Sequence, residues 1–370
     1  MIDTRSVIEN TDWAGLHHAY GDAADAPGEL LALLSEDPAS CGAALAFLDA
    51  AVLHQGTLYP ATAPAARFVA GILSDQRTLV LCESDLPWDD RNRPLRAALL
   101  EWLGSVFESV SFYEDDEEED EELEEDEDQD ADSVAACKAI LRDVYLAVLP
   151  LLDSPDIDVR QAAVGAMGHL MVAPELAEFR PEQAERMERL THHSSVSDRA
   201  AAALTLGKWD LAPRAFLHDP DPFVRAVAAL APALDQDPAA LAEIRHALTD
   251  PAAADDWFSE HVPEAEGKFR FALIATLLRR TSDIDEILPE ALAVARITSA
   301  YTVDNDWGPL LKRAFPEPYA PSAPLTAPQQ QLLSAIVDND ECWDSISNPV
   351  LWFRRVGLPD KRASIRALVS

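Results

Sequence analysis

Apolar residues recur at spacings of three and four along most of the chain, in short blocks punctuated by Asp, Pro and Gly. This rhythm predicts helices over 12–20, 28–35, 38–54, 63–74, 94–110 and 133–151. Further helices are expected over 238–249, 268–280, 284–298, 306–314 and 328–337. Thr11-Asp12, Asp37-Pro38 and Ala63-Pro64 supply helix-start chemistry, a capping oxygen or a first-turn proline, where the apolar rhythm begins. Gly21 and Gly56 stand where a helix ends on glycine. Ala and Leu dominate nearly every segment, which favours helices over sheets.

The pattern repeats. Residues 149–170 read LPLLDSPDIDVRQAAVGAMGHL and residues 215–234 read AFLHDPDPFVRAVAALAPAL, with a weaker copy, RLTHHSSVSDRAAAALTLGKW, at 189–209. Each has a leucine-bearing helix end, a polar turn, and then a helix opening on Val-Arg-x-Ala or a relative of it. In the 215–234 copy, Asp219 and Asp221 sit at the new N-terminus, where carboxylates complement the helix dipole. Val224 is expected to point inward, and Ala226, Ala228 and Ala229 keep a packed face small. Arg225 is placed to reach acidic groups or carbonyls of a neighbouring repeat. Asp156, Asp158, Val159, Arg160, Ala162 and Ala163 fill the same places one copy earlier.

The segments DSPDIDVRQAA and DPDPFVRAVAA resemble HEAT repeats, in particular the short type of phycobilisome-lyase-like proteins. From WAGLHHAYG to HQGTLYPAT the N-terminal part resembles HEAT-repeat proteins of high-GC actinobacteria. The resemblance implies an all-α fold, an α-solenoid of HEAT-like helical hairpins, and implies no activity. On this reading residues 1–110 hold degenerate repeats, 133–250 regular ones, and 251–370 irregular repeats with a C-terminal cap. Residues 111–132 are expected to form a disordered acidic loop inserted into the array.

Charge changes the picture more than composition does. The net charge is −37, and the stretch from Glu114 to Asp132 holds 16 carboxylates with no basic residue. Without them 50 acidic residues still face 29 basic ones, a difference of −21. Such a field repels nucleic acid and anionic lipid and attracts a basic protein or peptide. Neither a signal-peptide-like start nor an apolar run of roughly 20 residues is present, so a cytoplasmic protein is expected. Cys41, Cys82, Cys137 and Cys342 lie far apart in sequence without metal-ligand spacing, as suits a reducing compartment.

No nucleophile elbow, phosphate loop or zinc motif appears, so neither catalytic residues, a cofactor nor a metal is expected. The expected function is a protein-interaction scaffold that binds a basic partner on the solenoid's concave surface. A second reading is an immunity-type inhibitor that mimics nucleic acid against a basic toxin. A third, prompted by Trp209-Asp210 and by Asp304, Asn305, Asp306 and Trp307, is a DNA-glycosylase-like site, which the acidic field opposes. Candidate contact residues are Glu117, Glu118, Glu119, Asp120, Glu121 and Glu122 in the acidic run. His54, Gln55 and Tyr59 at a helix end, with Asp304, Asp306 and Trp307, complete the set. The pairs His17-His18 and His192-His193 are read as helical neighbours, which point about 100° apart and so do not chelate one ion together.

Overall fold

The computed structural model describes residues 2–83, 92–116, 127–192, 195–261, 268–321, 324–343 and 349–370. Among these the fold is all-α, with two short antiparallel ribbons. The first unit, Met1–Trp209, contains α1 (Thr4–Asn10), α2 (Ala26–Ala32), α3 (Pro38–Phe47), α4 (Thr62–Ile72), α5 (Leu95–Asp116), α6 (Glu127–Val148), α7 (Ile157–Leu170), α8 (Arg180–Arg189) and α9 (Val196–Lys208). The second, Asp210–Ser370, contains α10 (Pro222–Ala229), α11 (Pro238–Ala247), α12 (Pro251–His261), α13 (Phe269–Arg280), α14 (Leu288–Ile297), α15 (Trp307–Ala314), α16 (Ala327–Asp338), α17 (Pro349–Arg355) and α18 (Arg362–Val369). The ribbons pair β1 (His17–His18) with β2 (Gly21–Asp22), and β3 (Leu81–Glu83) with β4 (Asn92–Pro94). Among the described residues no helix is long and apolar enough to cross a membrane.

Helix starts follow from local chemistry. Asp3, Asp37, Asp156, Ser195, Asp221 and Asp237 each accept a first-turn backbone N–H at the head of α1, α3, α7, α9, α10 and α11. Thr326 and Gln329 form a reciprocal capping box on α16. In the first unit α5 packs on α7 and α7 on α9, while α4 packs on α6. Ala162, Ala163 and Ala166 of α7 are buried in this stack, where small side chains let helices approach. In the second unit α10 packs on α11, α11 on α13, α12 on α14, α14 on α16 and α16 on α18. Within each unit, then, many helices contact the second helix along as well as their immediate successor.

Several boundaries differ from expectation. The helix expected at 12–20 is a single 3-10 turn, Trp13–Gly15, followed by the β1–β2 ribbon. The buried Trp13 turns its indole back to donate to the Ile8 carbonyl, Ala19 N donates to Ala51 O, and Gly21 takes φ +130°. These contacts and the glycine bend override the local helical rhythm. Helix α1, capped by Asp3, precedes this segment and was not anticipated; nor was α12, at whose start Asp250 accepts from Ala253 N. The helices flanking the acidic run extend to Asp116 and back to Glu127, so part of the stretch expected to be a loop is helical. The boundary between units falls at Trp209/Asp210, inside the 133–250 segment expected to be continuous, with Asp210 at φ +56°.

Candidate functional site

The helix expected to run to residue 54 changes character before it ends. From Leu48 to Val52 the backbone is a π-turn, with Leu53 N donating to Leu48 O at 3.0 Å. A 3-10 turn, His54–Gly56, follows, in which Gln55 takes φ +52° and Gly56 φ +80°. A left-handed non-glycine residue beside a π-turn is a strained combination of the kind found at binding sites. Two hydrogen bonds fix the next segment, Thr62 Oγ1 donating to Val52 O (2.6 Å) and Tyr59 N donating to Thr62 Oγ1 (2.9 Å).

The β1–β2 ribbon lies against this turn, joined by the Ala19–Ala51 bond and by Ala61 N donating to His17 O. It brings Tyr20 to His54 (ring centroids 5.8 Å apart) and His17 to Tyr59 (6.3 Å), both edge-on. Tyr20 is 70% exposed. His54 donates from Nδ1 to the Ala50 carbonyl at 3.0 Å. That bond leaves Nε2 carrying the lone pair in the neutral ring, with no hydrogen-bond partner among the described residues.

His18 is the structural counterpart. It is buried, its ring lies edge-on to Phe47, and Nδ1 accepts from Tyr20 N at 3.1 Å. Nε2 therefore carries the hydrogen that meets Asp25 Oδ1 at 3.0 Å. Both nitrogens are occupied, so His18 orients the ribbon and is not placed as a base. His17 and His18 diverge because they alternate across a strand, not because they sit on a helix. What results is a rim in which Tyr20, His17 and Gln55 are exposed and His54 and Tyr59 half-buried. Its aromatic and amide groups suit recognition of another molecule's polar surface.

The other expected contact residues lie elsewhere. Asp306 is 0% exposed and accepts from Arg270 Nε and Nη2 at 2.7 and 2.9 Å; Asp255 accepts from the same guanidinium. Trp307 is buried, donates to Cys342 Sγ and packs on Phe353. These two side chains are core, so they do not form a partner-binding surface. Asp304 is exposed and accepts from Trp352 Nε1 at 2.6 Å. Trp209 is buried with its indole donating to Gly168 O, which removes it from any groove that would stack a base. Glu117, Glu118, Glu119, Asp120, Glu121, Glu122 and His193 lie outside the described residues.

The repeat residues take the places read for them. Val159 and Val224 are buried, Asp156 and Asp221 cap their helices, and Asp219 Oδ1 accepts from Asp221 N. Arg160 reaches Asp198, and Arg225 reaches Glu243. Two further features carried no sequence signal because they depend on distant helices. Lys208 donates to His169 Nε2 at 2.5 Å across α7 and α9; burial first, and Lys208 second, hold His169 down to about 3. A groove of about 400 Å³ between α1, α4 and α6 is lined by Asp3, Ser6, Asn10, Thr11 and Arg67 over Val7, Ala63, Pro64 and Ile140. Among the described residues no three His, Cys, Asp or Glu side chains gather as a metal-holding group.

No family model, curated protein or solved structure matches this chain.

Proposed function

We propose that this protein is an interaction scaffold, built from HEAT-like helical hairpins, that binds a basic protein or peptide in the cytoplasm. The observation that carries the reading is where its own cations go. Arg160, Arg225, Arg245 and Arg270 each hold a carboxylate on another helix, and Arg279 and Arg280 share Asp235. A one-to-one pair withdraws one cation with one anion and leaves the excess unchanged. The excess of 37 carboxylates is thereby left to water and to whatever basic surface approaches. The pairing is strong enough at one point to pull Asp235 down to about 2, through hydrogen bonds from Arg279 and then Arg280.

Contact is assigned to the acidic run 114–132 and to the rim of Tyr20, His54, Gln55 and Tyr59. Its test is titration of a fluorescent oligoarginine peptide and a matched oligoglutamate peptide, in low and moderate salt, against the full chain and a variant lacking 114–132. Tighter binding of the basic peptide, weakened by salt and by the deletion, supports the reading. Equal binding of both peptides, or a salt-insensitive affinity, overturns it.

A further inference from the structure

Cys41 and Cys82 are far apart in sequence and adjacent in space. Cys41 lies in the first turns of α3, wholly buried, with its Sγ donating to Ser35 O at 3.3 Å. Cys82 lies on β3, which packs against α3, and its Sγ reaches the carbonyl of Pro38, the first residue of that helix, at 3.9 Å. Cys82 lies close enough to Cys41 to act on its thiol, lowering its pKa against the larger upward effect of burial, and neither is in a disulfide. Cys82 is 5% exposed, on a strand that pairs, among the described residues, with β4 alone. A two-stranded ribbon is marginal by itself, so its local opening is the route by which the Cys82 sulfur would meet solvent while α3 stays folded.

We infer that Cys41 and Cys82 form a reversible redox modification site, in which a peroxide oxidises the pair to an intramolecular disulfide. Cys82 is the attacking sulfur. Its thiolate bonds to one oxygen of hydrogen peroxide, the O–O bond breaks, and the departing hydroxide takes a proton to become water. Cys82 is left as a sulfenic acid, oxidised by two electrons as the peroxide is reduced. Cys41 then attacks the Cys82 sulfur, the S–O bond breaks, and hydroxide leaves with the Cys41 proton as a second water. Two thiols and one peroxide have become one disulfide and two waters, and a small dithiol reverses the change by exchange. Burial pushes the Cys41 thiol up, which suits a resolving cysteine that reacts only once a sulfenic acid is beside it.

Cys137 and Cys342 are internal controls, since burial pushes them up to about 12 and about 11 and each is sealed in the interior. The crosslink would close the segment that carries the π-turn, His54, Gln55 and Tyr59, so the candidate rim would be held by an added covalent restraint. This site stands independently of the charge-based reading.

The experiment treats the reduced full chain with hydrogen peroxide, denatures it, alkylates free thiols and maps the peptides by mass spectrometry. The expected result is a dithiothreitol-reversible Cys41–Cys82 crosslinked peptide, with Cys137 and Cys342 alkylated as before, and a raised thermal midpoint for the oxidised form. Cys41→Ser should instead trap oxidised Cys82, detectable with a sulfenic-acid reagent; Cys41→Ala serves if the serine does not fold, checked by circular dichroism. Cys41 and Cys82 alkylating as fully as Cys137 after peroxide, or crosslinks only between molecules, overturns the inference.

Discussion

Arg160 on α7 holds Asp198 on α9, with Nε 3.2 Å from both carboxylate oxygens and Nη2 2.7 Å from Oδ2. Nη1 of the same guanidinium donates at 2.7 Å to Ser154 O, in the turn before α7. One side chain thus ties the turn that starts its own helix to the next helix of the stack. Arg225 repeats the arrangement, with Nη1 donating to Asp219 O at 2.9 Å and Nε donating to Glu243 on α11 at 3.0 Å.

Removing the guanidinium should be costly at the first of these positions and mild at the second. Asp198 is 1% exposed, and a carboxylate that stays buried after losing its cation costs about 3–5 kcal/mol. Arg160→Met is therefore expected to lower the urea-unfolding free energy by that order, and Arg160→Met with Asp198→Leu to recover most of it. Glu243 is about a quarter exposed, so water can take over part of the lost interaction. Arg225→Met is expected to cost only about 1 kcal/mol. Equal losses at the two positions would show that burial of the acceptor does not set the energetics.

The same pair explains what could be read from sequence. Aligned on their caps, Asp156, Ser195 and Asp221 head three equivalent helices, and Asp198 occupies the place of Val159 and Val224. From sequence, that aspartate makes the middle copy look degraded; in the fold it is the acceptor for the preceding repeat's arginine. Caps, turn prolines and small packed faces depend on residues within one turn, so they were legible. Partners across helices were not. Asp306 beside Trp307 has the composition of a binding site, and only the packing of α13 and α17 makes it core. The Tyr20–His54 rim needed a ribbon that the helical rhythm of 12–20 conceals.

His169 should make the protein acid-sensitive well above the carboxylate range. The folded state holds this histidine at about 3, from an ordinary 6.5, through burial and the adjacent Lys208. Between those two pH values the unfolded chain binds a proton that the folded chain does not. Stability therefore falls as pH drops from 6.5 towards 3, at up to about 1.4 kcal/mol per pH unit. Urea midpoints at pH 7 and pH 5 should differ markedly for the native sequence and much less for His169→Gln. An unchanged pH dependence in the variant would assign the acid sensitivity to other groups.

Gly308 reports on the aromatic packing of the second unit. A Cβ there would lie 2.4 Å from Trp352 Cε2 and 2.7 Å from both Cδ2 and Nε1. The indole would have to move, breaking its hydrogen bond to Asp304. Gly308→Ala is expected to destabilise by about 1–3 kcal/mol through overpacking, against a gain of up to about 1 kcal/mol in helix propensity. A changed tryptophan emission spectrum together with a lower melting point is the expected readout; a raised melting point would mean that the indole relocates freely.

The two proposed contact regions should respond differently to salt. The screening length falls from about 10 Å at 0.1 M to about 3 Å at 1 M, so attraction from the acidic run is suppressed while direct contacts at the rim persist. Replacing Glu117, Glu118, Glu119, Asp120, Glu121 and Glu122 by neutral amides should weaken oligoarginine binding at low salt and flatten its salt dependence. Tyr20→Ala with His54→Ala should weaken a partner that uses the rim by a similar factor at every salt concentration, leaving the slope unchanged, because those side chains contribute packing and hydrogen bonds, not long-range charge. Fluorescence titration of both variants across a salt series separates the two effects. A rim variant that flattens the slope as much as the neutralised run would place the electrostatic contact at the rim itself, and would leave the acidic run without a separate part in recognition.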